Sequence, residues 1–120
     1  MKTIKIPHLF DFEVNVCDLK DVRGIEDQMP KGKGAGFTME TDKGAAVAFL
    51  EYKANIKKLS FAPVVAHEIV HVIQIICDRY KFKIENEQEH MAYIMSYLMQ
   101  QIMELPSPIP TSTSPDSAVS

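Results

Sequence analysis

Apolar and polar positions alternate along the first sixteen residues, with Ile4 and Ile6, then Phe10, Phe12, Val14 and Val16, on every second position. That period belongs to a strand with one buried face. Pro7 puts it at a sheet edge or at a bend. The alternation stops at Asp18. From there to Gly36 the chain carries Gly24, Pro30, Gly32, Gly34 and Gly36 among charges, which predicts an irregular connection with at most a turn of helix around Leu19 to Val22. Two further strand-like runs, Phe37 to Thr41 and Ala45 to Tyr52, flank Asp42-Lys43-Gly44. They read as a hairpin.

The period then changes to that of a helix. A long apolar segment predicts a helix from about Ser60 to Arg79, with Ser60 as its cap and Pro63 in the first turn, where a missing N–H costs nothing. Asn86 can cap a second helix, in which Met91, Ile94, Met95, Leu98 and Ile102 recur at helical spacing to about Glu104. From Pro106 the chain reads PSPIPTSTSPDSAVS, which has too little apolar surface to offset its ordering entropy and is expected to be a disordered tail. Residues 1–105 then form one α+β domain, a small antiparallel sheet packed on two C-terminal helices.

Between Val64 and Ile76 nearly every residue is apolar except His67, Glu68, His71 and Gln74, and Asp78 extends the same line. At 3.6 residues per turn, positions 67, 71, 74 and 78 form one narrow stripe. A helix so widely apolar buries most of its circumference, so the stripe should border a cleft. Burying two imidazoles and a carboxylate without partners costs several kcal/mol, and a divalent metal would satisfy them. His67-Glu68-Ile69-Val70-His71 is the HExxH arrangement, in which two histidines one turn apart reach one tetrahedral ion. Glu68, about 100° round the helix, sits beside that ion and suits a general base for water acidified by it.

Composition narrows the rest. The chain has 120 residues, 46% hydrophobic and 24% charged, enough for one domain and a single core. A net charge of -3, with lysines scattered along the chain, argues against nucleic acid as a partner. Cys17 and Cys77 lie far apart with no CxxC pairing, which suggests neither a disulfide framework nor a thiolate zinc knot and fits a reducing compartment. The N-terminus lacks the apolar run of a secretory signal, and the polar residues inside the long apolar segment suit hydrocarbon poorly. A cytoplasmic protein without a membrane span is expected.

Catalytic zinc normally takes three protein ligands and leaves one position open. The acidic cluster after the first helix offers Glu85, Glu87, Glu89 and His90. Nine residues of helix cover about 13 Å and six extended residues up to about 20 Å, so the chain can return to the metal. Tyr80, Phe82 and Ile84 alternate with Lys81 and Lys83, consistent with an extended return.

At this point the sequence resembles the gluzincin class of zinc metallopeptidases, in which HExxH on one helix is completed by a glutamate on a following helix. It is most similar to small phage-encoded proteins whose HExxH precedes an EAFAY-like segment, matched here by Glu89-His90-Met91-Ala92-Tyr93. His90 and Met91 depart from that segment. The resemblance implies a minimal zincin-like fold, a zinc cofactor, a peptide or protein substrate, and the cytoplasm of a bacterial host. It makes Glu89 the third ligand beside His67 and His71, with Ala92 and Ser96 letting the two helices approach closely. A capping box of Asn86 with Glu89 is the alternative use of that glutamate, and Glu87 is the reserve ligand. Tyr93 could donate a hydrogen bond to a substrate oxyanion, or simply pack. By the same resemblance, Ala45 to Tyr52 would hold an extended substrate through its backbone edge.

Three functions follow from these residues. The leading one is zinc-dependent hydrolysis of a peptide bond with Glu68 as general base. A second is a zinc-binding interaction protein without turnover. The third is a ferritin-like di-iron protein using Glu68-x-x-His71 and Glu87-x-x-His90, which lacks two further glutamate-bearing helices. A domain of this size has little material for the walls of a cleft, so a homodimer or other partner could complete them.

Overall fold

In the computed structural model, which describes residues 2–22 and 34–106, the first alternating segment divides into two strands. β1 (Lys2–Ile6) and β2 (Leu9–Asp18) run antiparallel about a turn at Pro7 and His8. Pro7 supplies the bend, and His8 takes a left-handed φ of 70°, which histidine tolerates better than a β-branched residue does. The expected helical turn is present as a short 3-10 turn, Leu19–Asp21, capped by the Asp18 carboxylate. Residues 23–33 of the expected irregular connection and residues 107–120 of the loose tail expected from Pro106 lie outside the described residues.

β3 (Gly36–Thr41) and β4 (Gly44–Phe49) form the expected hairpin. The sheet, however, is mixed and not purely antiparallel. Its order is β1-β2-β4-β3, and β4 runs parallel to β2 from Glu13 opposite Gly44 to Asp18 opposite Phe49. The sequence of β4, Gly-Ala-Ala-Val-Ala-Phe, suits this central place because it has no polar face to keep in water. Gly44 is needed where β4 enters beside β2. A Cβ there would lie 2.1 Å from the Glu13 carbonyl oxygen.

The apolar run expected to reach Tyr52 as strand ends at Phe49. Glu51 turns left-handed and Tyr52 opens one helical turn, α1 (Tyr52–Asn55). The Tyr52 amide donates to Asp18 at 3.0 Å and its hydroxyl donates to the Ile102 carbonyl. Those bonds tie α1 to the end of β2 and to the last turn of the C-terminal helix.

α2 (Ala62–Tyr80) begins later than expected, after a 3-10 turn at Leu59–Phe61. Phe61 precedes it and Ser60 does not cap it, because the 3-10 turn already carries the chain into helical geometry. Pro63 sits in the first turn as its chemistry requires. After α2 the extended return expected over Tyr80 to Ile84 is cut short: Lys81 caps the helix left-handed, Lys83 is extended, a 3-10 turn forms at Ile84–Asn86, and α3 (Gln88–Met103) follows. Asn86 belongs to that turn, so the Asn86–Glu89 capping box does not form.

The architecture is α+β, with the helices packed at the C-terminal side of the chain on the sheet. Phe12, Val14, Val16, Val47 and Phe49 meet Val65, Ile69, Val72 and Ile76 of α2 and Ile94, Leu98 and Ile102 of α3 in one core. Leu59–Tyr80 is long and apolar enough to cross a membrane; Phe61, Val65, Ile69, Val72, Ile73 and Ile76 of that segment lie in this core, while Leu59 and Val70 are exposed. The same burial fixes the rotation of α2, and hence which of its residues face outward.

Candidate functional site

His67, His71, Gln74 and Asp78 line an open cleft of about 630 Å³ between α2 and the edge strand β3. The core residues of α2 dictate this. With Ile69, Val72 and Ile76 turned inward, the stripe half a turn away must face out.

The Nε2 atoms of His67 and His71 lie 3.3 Å apart. Two nitrogens each about 2.0–2.1 Å from a tetrahedral zinc ion would lie about 3.3–3.4 Å apart, so the spacing fits one shared cation. Gln74 fixes the tautomer. Its Oε1 is 3.0 Å from His71 Nδ1, and an amide oxygen only accepts, so Nδ1 carries the hydrogen. In the neutral ring, Nε2 then presents its lone pair toward His67.

The expectation that both imidazoles are buried needs correction. His67 and His71 are exposed, and Glu68, at 6% exposure, is the buried member. β3 runs along the Glu68 side of α2 and leaves the histidine stripe open, so the desolvation argument applies to the carboxylate alone. Its partner is Thr38, whose hydroxyl donates to Glu68 Oε1 at 2.6 Å. A charged hydrogen bond of that length offsets much of the cost of burial.

β3 is held alongside α2 at its other end by Arg79. That guanidinium donates to the Thr41 carbonyl at 2.6 Å and to Glu40 at 2.8 Å, and it lies 5.3 Å over the Phe12 ring. The strand expected to offer a substrate its edge was the run from Ala45 to Tyr52. That role fails on topology: β4 is flanked by β2 and β3, and the strand edge at the cleft belongs to β3. The Leu50 amide donates to the Ala35 carbonyl at 2.9 Å. By antiparallel alternation the backbone groups of Gly36, Thr38 and Glu40 therefore point away from β4.

The structure does not bring Glu89 to the histidines. It is exposed in the first turn of α3 and does not line the cleft. That turn packs beside the end of α2, with the Met91 sulfur 3.7 Å from Cys77 Sγ and the His90 ring 6.0 Å from Phe82. Cys77 is six residues beyond His71, about 9 Å along the helix axis. Glu87 pairs with His90 at 3.6 Å, outside the cleft as well, which also separates the two ExxH motifs of the di-iron reading. Tyr93 is 53% exposed and stacks on Tyr97, likewise outside the cleft lining. Among the described residues, no three His, Cys, Asp or Glu side chains form a metal-binding group. The two histidines fit one zinc ion in spacing, His71 also in tautomer, and they would supply two of the three protein ligands that catalytic zinc normally takes.

Thr38, Gly36 and Arg79 carry no sequence motif; the sequence places Thr38 in a strand and Gly36 at the end of the irregular connection. Gly36 abutting the strand run was the single available signal. Its meaning depends on a helix residue 32 positions away. No protein-family model, no curated protein and no solved structure matches this chain.

Proposed function

We propose that this chain is a zinc-dependent hydrolase of peptide or related amide bonds, working in the cytoplasm on a peptide or protein substrate. One observation carries the reading: a buried, hydrogen-bonded carboxylate stands next to two imidazole nitrogens spaced for a single cation, on the wall of one open cleft. The resemblance of His67-Glu68-Ile69-Val70-His71 to the HExxH peptidases supports the same chemistry.

Zinc held by His67 and His71 would supply a Lewis acid that polarises the scissile carbonyl and acidifies water. Glu68 takes the proton from the attacking water and returns it to the leaving amine. Its place about 100° round α2 from His67 keeps it beside the cation and free to exchange protons. Gln74 orients His71 through Nδ1. An extended substrate would add to β3 through the outward N–H and C=O groups of Gly36, Thr38 and Glu40. Glu89 and Tyr93, lying outside the cleft, have no part in this reading.

The test is to load chelator-stripped protein with zinc and follow cleavage of a peptide library by mass spectrometry. Glu68→Gln is expected to keep its zinc and lose turnover by about 100-fold or more. A zinc-loaded protein that cleaves nothing, with Glu68→Gln indistinguishable from it, would leave the non-catalytic zinc-binding function in its place.

A further inference from the structure

Glu68 has two carboxylate oxygens in different surroundings. Oε1 accepts the 2.6 Å hydrogen bond from Thr38, and the same hydroxyl lies 3.4 Å from the Glu68 backbone carbonyl. A hydroxyl has one hydrogen, so the shorter, charged contact takes it. Oε2 has no hydrogen-bond partner among the described residues. Glu68 is itself among the residues that line the cleft, so the carboxylate oxygen left over by Thr38 belongs to the cleft wall.

Gly36 makes that arrangement possible. It lies two positions before Thr38, on the same face of β3. A Cβ at position 36 would lie 2.9 Å from Glu68 Cγ and 3.0 Å from Oε2, closer than carbon and oxygen tolerate in a packed interior. The missing side chain is therefore a notch that seats the carboxylate.

We propose that Thr38 and Gly36 are positioning residues for Glu68, anchoring Oε1 and presenting Oε2 to the cleft as its proton-accepting atom. This rests on the hydrolase reading above. Catalytic groups lose efficiency when their supporting contacts leave them loose, and Glu68 needs such support because its neighbours in sequence give it none. The geometry also links the substrate to the base. The backbone groups of Gly36 and Thr38 that would bind an extended peptide belong to the two residues that hold the carboxylate, so docking and orientation act on one short segment of β3.

The experiment compares the zinc-loaded full chain with Thr38→Val, Thr38→Ser and Gly36→Ala, measuring kcat, KM and zinc affinity. It also measures the Glu68 side-chain carboxyl resonance by carbon-13 NMR. Thr38→Val and Gly36→Ala are expected to lower kcat about 10- to 100-fold while KM and zinc affinity stay within about twofold. Thr38→Ser, which keeps the hydroxyl, should recover most of the lost rate. The carboxyl resonance should move in Thr38→Val and stay in place in Thr38→Ser. Full kcat in Thr38→Val, or equal loss in Thr38→Ser, overturns the proposal. A wild-type protein without turnover sinks the hydrolase reading separately; the seat is then judged on the resonance alone, and one resonance position shared by the natural chain, Thr38→Val and Thr38→Ser overturns it.

Discussion

His67 and His71 hold their Nε2 atoms 3.3 Å apart across one turn of α2, and Gln74 holds the far nitrogen of His71 at 3.0 Å. Gln74→Leu removes only that acceptor. The His71 ring would then be free to rotate and to change tautomer, and partners of this kind are worth about 10- to 100-fold in metal affinity. Gln74→Leu is expected to weaken zinc binding by that factor in a chelator competition assay. Gln74→Glu, which still accepts from Nδ1, should bind at least as tightly as the natural chain.

Glu89 provides the sharpest contrast between the sequence resemblance and the geometry. Placed beside the end of α2, it should matter little to the cation. Glu89→Gln is expected to leave zinc affinity within about twofold, where loss of a true ligand would cost far more. The same competition assay decides, and a loss as large as that of His71→Ala would restore Glu89 as a ligand.

Arg79 secures the end of the cleft by bonding to the Thr41 carbonyl and Glu40 while covering Phe12. Arg79→Met keeps some of the packing and loses the bonds. It should cost about 1–3 kcal/mol in denaturant unfolding and speed amide exchange along β3. Glu40→Gln should cost about 0–1 kcal/mol, because the Glu40 side chain is half-exposed and keeps its access to water.

The Tyr52 phenol donates to the Ile102 carbonyl, and burial pushes its pKa up from 10.0 to about 12. The unfolded chain gives up this proton near the ordinary value while the folded chain keeps it. Unfolding therefore gains as pH rises from about 10 to about 12. Tyr80, raised to about 12 by burial and by its bond to Asp11, acts in the same direction. Stability should fall across that window in chemical denaturation, and Tyr52→Phe should make the fall shallower. An unchanged slope in Tyr52→Phe would remove Tyr52 as a cause.

The features that were legible in the sequence are local ones. The helical period of Ile69, Val72, Ile73 and Ile76 set the rotation of α2, and with it the stripe of His67, His71, Gln74 and Asp78. Asp42-Lys43 between two apolar runs marked the hairpin. Long-range pairings were not legible. The alternation in β2 says which face is buried and nothing about which strand lies beside it, so the parallel β2–β4 pair was missed. The path after Tyr80 includes a left-handed Lys81 and a 3-10 turn at Ile84–Asn86, neither of which the alternation of Tyr80, Phe82 and Ile84 revealed. Thr38 and Gly36 gain their meaning only from a helix residue that folding brings to them.

The shared cation is the central claim, and calorimetric titration of chelator-stripped protein with zinc tests it most directly. One ion per chain should bind, with uptake lost in both His67→Ala and His71→Ala while both variants keep the native circular dichroism. Absence of zinc uptake by the natural chain, or uptake that survives both substitutions, would contradict it.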